Sequence, residues 1–282
     1  KLYPKADYQA FLALYVDPST ESAHLLRIKS AVAQDEAGLA VLYSQAYLYY
    51  YPGSASGYIS LGQARMAEGK KDLALQAFSQ ALTGGDNADV LTARAQLYSS
   101  NGQYKLAQAD LSKVFALTND DKVRAQRMEA AFSAGDRDTA ESDAEALLGT
   151  NIVPDAEIKL MQARILIDKA KPTDKTAYQS AADLLAEVTG GDIPTELRPI
   201  ANEYLAKADY VVGQYDEALK AIEAALAQGD TGTRHYIHGM ILEAQGKKDL
   251  AVREYDWVVT WSTVYSYPFI DDVQTRLDNL KP

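Results

Sequence analysis

The 282-residue chain contains no cysteine. This excludes disulfides, thiolate catalysis and the common structural zinc sites, while leaving both a cytoplasmic and a cell-envelope location open. Runs of β-branched residues are scarce and alanine, leucine, glutamine, glutamate and lysine dominate, so helix is expected almost everywhere and very little sheet. Positive charge is also in deficit: 28 Lys and Arg face 39 Asp and Glu, a net charge of −11. That balance opposes nonspecific affinity for nucleic acid or anionic lipid, and no nucleic-acid partner is expected. No run of about eighteen apolar residues occurs, so no transmembrane segment is expected. The chain starts at Lys1 with neither methionine nor an apolar leader, which tilts the expected localisation toward the envelope, as a processed exported protein or a fragment anchored upstream. A trimmed cytoplasmic chain would start the same way.

What the sequence does contain is a repeat. "EGKKDLALQAF" at 68–78 returns as "QGKKDLAVREY" at 245–255, and a period of about 34 residues with one seven-residue insertion brings the two into phase. Gly69, Gly102, Gly135, Gly213 and Gly246 are each followed five residues later by alanine: Ala74, Ala107, Ala140, Ala218 and Ala251. Between Gly135 and Gly213 a unit without the glycine fits residues 155 to about 195. Its helices are joined by "KAKPTDKTA", where Pro172 stops the first helix and the extra residues are expected.

This pattern resembles the tetratricopeptide family, whose units carry a large residue at position 4, leucine and glycine at 7 and 8, and small or apolar residues at 20, 24 and 27. Tyr58, Leu61, Gly62, Ala74, Phe78 and Ala81 occupy those positions in one unit, and His235, His238, Gly239, Ala251, Tyr255 and Val258 in the last. The resemblance implies an all-α fold, a right-handed α-α superhelix forming a single solenoid domain. Seven units would span 21–264, beginning near 21, 55, 88, 121, 155, 199 and 232, with an N-terminal helix in 1–20 and a C-terminal capping helix in 265–282. Several units depart from the motif, with Ala95, Met128, Gln162 and Ala206 at position 8. Each helical pair is too small to bury its own apolar face, so stacked neighbours make the core. "TGGD" at 83–86 and 189–192 and "AQGD" at 227–230 read as helix ends with left-handed glycines, the aspartate free to cap the following helix or turn. None follows a strand or ends in the lysine-serine of a phosphate loop.

No catalytic constellation stands out. "GDRDTAESDAE" at 135–145 is acidic, but its acids interleave with the packing residues Ala140 and Ala144 and read as a solvated face. His235 and His238, three apart on a helix, have the spacing of metal ligands but fall at packing positions without an evident third ligand, so interhelical packing is expected. Trp257, Trp261 and Tyr265, spaced by four residues, form a stripe read as core or cap before ligand platform. Among the six tyrosines of "YSQAYLYYYPGSASGY", Tyr47, Tyr50 and Tyr58 fall at packing positions between repeats. No cofactor and no metal is expected, and no enzymatic activity.

The resemblance places the inner face on the first helices, chiefly at positions 2, 5, 9 and 12. Its candidate partner-binding residues are Ile59, Gln63, Met66, Gln96, Phe132, Lys159, Lys207, Tyr210, Tyr236 and Met240. The lysine-asparagine-lysine-arginine set with which some family members grip a terminal carboxylate is absent. The leading reading is a scaffold for a protein or peptide partner held in that groove. The alternatives are a structural or self-assembling component of a larger complex, as a homo-oligomer, and carbohydrate recognition; the groove can also be filled by the chain's own terminal helix.

Overall fold

A computed structural model of the chain describes residues 3–281; Lys1, on which the expectation of a processed start rests, lies outside them with Leu2 and Pro282. The described residues are helical throughout, with no strand, and fall into two compact units. Unit 1 (Lys1–Asp136) holds α1 (Tyr3–Val16), α2 (Glu21–Ala33), α3 (Ala37–Tyr50), α4 (Ala55–Ala67), α5 (Lys71–Ala81), α6 (Ala88–Ser100), α7 (Tyr104–Thr118) and α8 (Asp121–Ala134). Unit 2 (Arg137–Pro282) holds α9 (Arg137–Leu147), α10 (Asp155–Lys169), α11 (Lys175–Gly190), α12 (Arg198–Val212), α13 (Tyr215–Leu226), α14 (Gly232–Ala244), α15 (Lys248–Trp261) and α16 (Ile270–Leu280).

The glycine turns explain why one helix stops and the next begins. Gly69, Gly102, Gly135, Gly213 and Gly246 all have φ between 72° and 101°, a region glycine enters without steric cost. The residue after each donates its backbone N–H five residues back, as Lys70 does to Arg65 O (2.9 Å) and Gln214 to Asp209 O (2.8 Å), so orphan carbonyls at the helix end are satisfied. The first pair makes the same turn with a non-glycine residue: Asp35 sits at φ 59°, and Glu36 N–H reaches Ala31 O at 2.9 Å.

Packing follows the small-residue pattern. The five alanines five residues beyond the glycines are fully buried. Gly62 and Gly239 let a neighbouring aromatic lie on the backbone: a Cβ on Gly62 would meet the Phe78 ring at 2.5 Å, and one on Gly239 the Tyr255 ring at 2.4 Å. Each core cluster combines one pair with the first helix of the next. Ala74, Phe78 and Ala81 of α5 bury against Val90 and Leu97 of α6; Ala218, Ile222 and Ala225 of α13 bury against Ile237 and Ile241 of α14. This is the physics of stacked repeats, in which no pair closes its own core. Within unit 1, Arg94 of α6 grips Asp110 of α7 with two hydrogen bonds (2.7 and 2.8 Å) and Ser79 of α5 with a third (3.0 Å), tying three successive helices together.

Four local expectations change. The extra residues of the 155–195 unit are not concentrated at Pro172. The loop there is only 170–174, and the rest lengthens α10 and α11 and forms the connection 191–197, whose Ile193 is buried. The aspartates after the glycines do not cap the next helices. Asn87 accepts from Val90 N–H (3.1 Å) and Thr231 from Arg234 N–H (3.2 Å), because the cap must sit one residue later; Asp86 instead pairs with Lys113. Gly190 and Gly191 are not left-handed, whereas Gly85 and Gly229 are. Of the tyrosines at the first repeat junction, Tyr47 is fully buried, its hydroxyl donating to Glu21, and Tyr58 is half-buried. Tyr50 is 43% exposed, its ring lying 5.4 Å from that of His24 and 5.2 Å from that of Tyr49.

Candidate functional site

In unit 1 the first helices α4, α6 and α8 carry the candidate residues at helical spacing. Gln63, Met66 and Gln96 are exposed, and Ile59 is half-buried against the core of α5 and α6. Phe132 on α8 is buried, so its ring serves packing and offers no accessible anchor. Beside Gln96 lies a cavity of about 430 Å³ between α6, α7 and α8. Its floor is apolar, from Ala95, Leu111 and Ala130, and its mouth carries Gln96, Gln126 and Ser99. Such a site can enclose one apolar side chain while amides and hydroxyls meet the flanking backbone of an extended chain. Only Gln96 of the sequence-derived candidates lines it. Gln126 and Tyr104 were missed, since they lie off the four inner positions used to thread the repeat.

In unit 2 most of the corresponding residues are already engaged. Lys159 pairs with Glu187 of α11, and Lys207 is half-buried. Tyr210 lies half-buried, its ring 5.9 Å from Tyr215. Tyr236 stacks on Phe269 (4.5 Å between centroids, 6° between planes) and donates its hydroxyl to Asp272 of α16 at 2.7 Å. Arg276 of α16 bridges Asp272 (2.6 Å) and Glu243 of α14 (2.8 Å), and Glu243 also accepts from Tyr255 at 2.8 Å. Burial, with the neighbouring Asp272 carboxylate, pushes the Tyr236 phenol up to about 12. Met240 packs partly buried against the same cluster, which Val273 and Leu277 of α16 complete. The terminal helix thus packs with the candidate residues Tyr236 and Met240 of the last pair.

The histidine pair is a packing device. His235 Nδ1 lies 2.6 Å from Glu254 Oε2 and His238 Nδ1 3.3 Å from the same oxygen, while the His235 ring stacks on Trp257 at 3.9 Å. Burial works against the Glu254 charge, but the hydrogen bonds from the two imidazoles outweigh it and hold the carboxyl down at about 2. Among the described residues no group of three or more His, Cys, Asp or Glu side chains could hold a metal ion. Trp257 is half-buried, whereas Trp261 and Tyr265 continue the stripe into solvent. No helix among the described residues is long and apolar enough to cross a membrane.

The geometry agrees with what the chain is similar to. A family model described as a tetratricopeptide repeat-like domain matches residues 124–282, and one described as a tetratricopeptide repeat matches residues 88–121. Among curated proteins the chain is similar to DnaJ homolog subfamily C member 3 of Gallus gallus, 27% identical over 207 residues. That match takes in 70% of this chain but spans only 40% of the relative's length. A solved tetratricopeptide repeat protein from Parabacteroides merdae aligns with a TM-score of 0.57 at 18% identity, over 92% of this chain and 99% of that one. The C-terminal part of a repeat protein from Cytophaga hutchinsonii aligns with a TM-score of 0.56 at 19% identity, over 80% and 90%. At such identities the structural likeness concerns the fold alone.

Proposed function

The chain belongs to the tetratricopeptide repeat-like family, and from that membership we propose that it is a non-enzymatic protein-interaction scaffold holding an extended segment of a partner protein against the first helices of unit 1. The observation that carries this reading is the apolar cavity between α6, α7 and α8, rimmed by Gln96, Ser99 and Gln126. One apolar side chain of the partner fills it, and the amides bond to the partner's backbone. Neighbouring Gln63 and Met66 extend the contact along α4. Unit 2 contributes less to such a groove, because α16 already covers Tyr236.

The test is selection of peptides from a random displayed library on the purified chain, followed by binding to Ser99→Trp, which fills the cavity from its half-exposed rim. Enriched peptides sharing one apolar anchor, with affinity for Ser99→Trp at least tenfold weaker, are expected, about 1.4 kcal/mol. Enriched peptides that bind both proteins equally would remove the cavity from the site.

A second reading, self-association, is favoured by α1, which exposes Tyr8, Phe11, Tyr15 and Val16 along one helix. Sedimentation that stays monomeric at high concentration excludes it.

A further inference from the structure

A second cavity, of about 350 Å³, opens in unit 2 between α11, α12 and α13. It borders the second helices α11 and α13, away from the inner-face candidates of α10, α12 and α14. Its size sits at the low end of small-ligand pockets, about 300–1,000 Å³. The wall is largely apolar, from Ala182, Ala186, Leu205 and Ala221, and polar groups are set into it. Asp183 and Gln179 come from α11, Asn202 and Asp209 from α12, and Glu217 and Lys220 from α13, with Gln214 at the turn before it.

Asp209 is the unusual member. It is 4% exposed, and its carboxylate has no hydrogen-bond or ion-pair partner among the described residues although it lines the cavity. The two other buried acids among the described residues are engaged: Asp110 is held by Arg94, and Asp143 also has an interaction. A carboxylate on a residue this enclosed is costly to ionise without a counter-charge, and a hydrogen-bonding cation beside it lowers that cost. Asp183 and Glu217 add two further negative charges to the same cavity, against the single ammonium of Lys220 at the exposed rim. Gln179 donates to Asp183 at 2.9 Å, and its own oxygen accepts from Gln214 at 3.5 Å. The carboxylates do not converge closely enough to form a metal-ion cluster, so the cavity favours a larger, hydrogen-bonding cation.

We propose that this cavity binds an organic cation, a guanidinium or alkylammonium group, with Asp209 as its buried counter-charge and Asp183 and Glu217 as the rim that draws it in. The same group can come from a free amine or from an arginine or lysine side chain of a protein. Burial, reinforced by Glu217 and Asp183, pushes the empty Asp209 carboxyl up to about 6. Cation binding is therefore strongest above that value and weakens as Asp209 is protonated.

The experiment is an amide-resonance titration of the full chain at pH 7.5 with Nα-acetyl-arginine amide, its neutral citrulline counterpart and n-butylamine. Saturable shifts at Asn202, Asp209, Gln214 and Glu217 are expected with both cations and not with citrulline. Affinity should fall about tenfold or more at pH 5 and in Asp209→Asn. Glu217→Gln, exposed and therefore safe for folding, should weaken binding several-fold and carries the test should Asp209→Asn not fold. A pentapeptide with a central arginine separates the sources: tighter binding than the free amide identifies a protein side chain, and equal binding a small amine. Absence of saturable shifts, equal binding of citrulline, or undiminished affinity in both variants would overturn the proposal. None of these outcomes depends on the α6–α8 cavity.

Discussion

Gly62 is where the packing leaves least room for change. A Cβ added there would lie 2.5 and 2.6 Å from two ring carbons of Phe78. Phe78 is 1% exposed and has no space into which to retreat. Gly62→Ala has two opposed effects: alanine favours the helix by about 1 kcal/mol, and overpacking a tight core costs about 1–3 kcal/mol. With two ring carbons this close the steric effect wins, leaving a net loss of up to about 2 kcal/mol. Gly239→Ala should cost more, because its obstructing ring, Tyr255, is fully buried and held at its hydroxyl by Glu243. Gly38 in α3 has nothing within 4 Å of an added Cβ, so Gly38→Ala should stabilise, by up to about 1 kcal/mol. Urea unfolding followed by far-ultraviolet circular dichroism reads all three. A loss of about 1.5 kcal/mol with a slope of about 3 kcal/mol/M lowers the midpoint by about 0.5 M. Phe78→Leu frees space, so the Gly62→Ala, Phe78→Leu pair should lose less than the sum of its parts. If Gly62→Ala raises the midpoint as Gly38→Ala does, ring-on-glycine packing does not hold α4 to α5.

Arg94→Met strands the buried Asp110 carboxylate and should cost about 3–5 kcal/mol in the same assay, while adding Asp110→Leu should restore most of it. Asp35→Gly relieves a left-handed backbone at φ 59° and should raise the stability by a few tenths to about 1 kcal/mol, partly offset by the freer unfolded chain. Asp209, held up to about 6 by burial and then by Glu217 and Asp183, keeps a proton in the folded state that the unfolded chain releases near pH 4. Its contribution is therefore fullest below about pH 4 and is lost as pH rises through about 6, by at most about 3 kcal/mol. Stability of Asp209→Asn measured across pH 4–7 should lack that decline, and an unchanged decline would show that another group causes it.

The repeat was legible because its signals are local. A left-handed glycine, an alanine five residues on and an apolar stripe are written within one unit, and the pairs α4–α5, α6–α7, α12–α13 and α14–α15 turn around them. Asp35 escaped notice because aspartate can adopt the backbone that glycine marks elsewhere. The Arg94–Asp110 pair and the Arg276 bridge escaped for a different reason. They join residues 16 and 33 apart on separate helices, and whether two such side chains meet depends on helix rotation and crossing, which periodicity leaves open. The same applies to the candidate site. Positions 2, 5, 9 and 12 marked exposed Gln63, Met66 and Gln96 but also buried Phe132, since a few tens of degrees of rotation move a side chain from rim to core. The acids around Asp209 look like any solvated face in the sequence, and only the packing of α11, α12 and α13 encloses one of them.

Within each unit the principal contacts join a helix to the next in the chain or the next but one. Such a topology shapes how the chain reaches its fold as well as what the fold is. The segments to be closed are short, so loop-closure entropy is small and folding is fast for the chain's size. Each core cluster is complete once the first helix of the following pair arrives. A chain emerging from a ribosome at about 5–20 residues per second therefore leaves any one apolar face uncovered for only a few seconds. That interval is set by the length of one repeat, and adding repeats would not extend it.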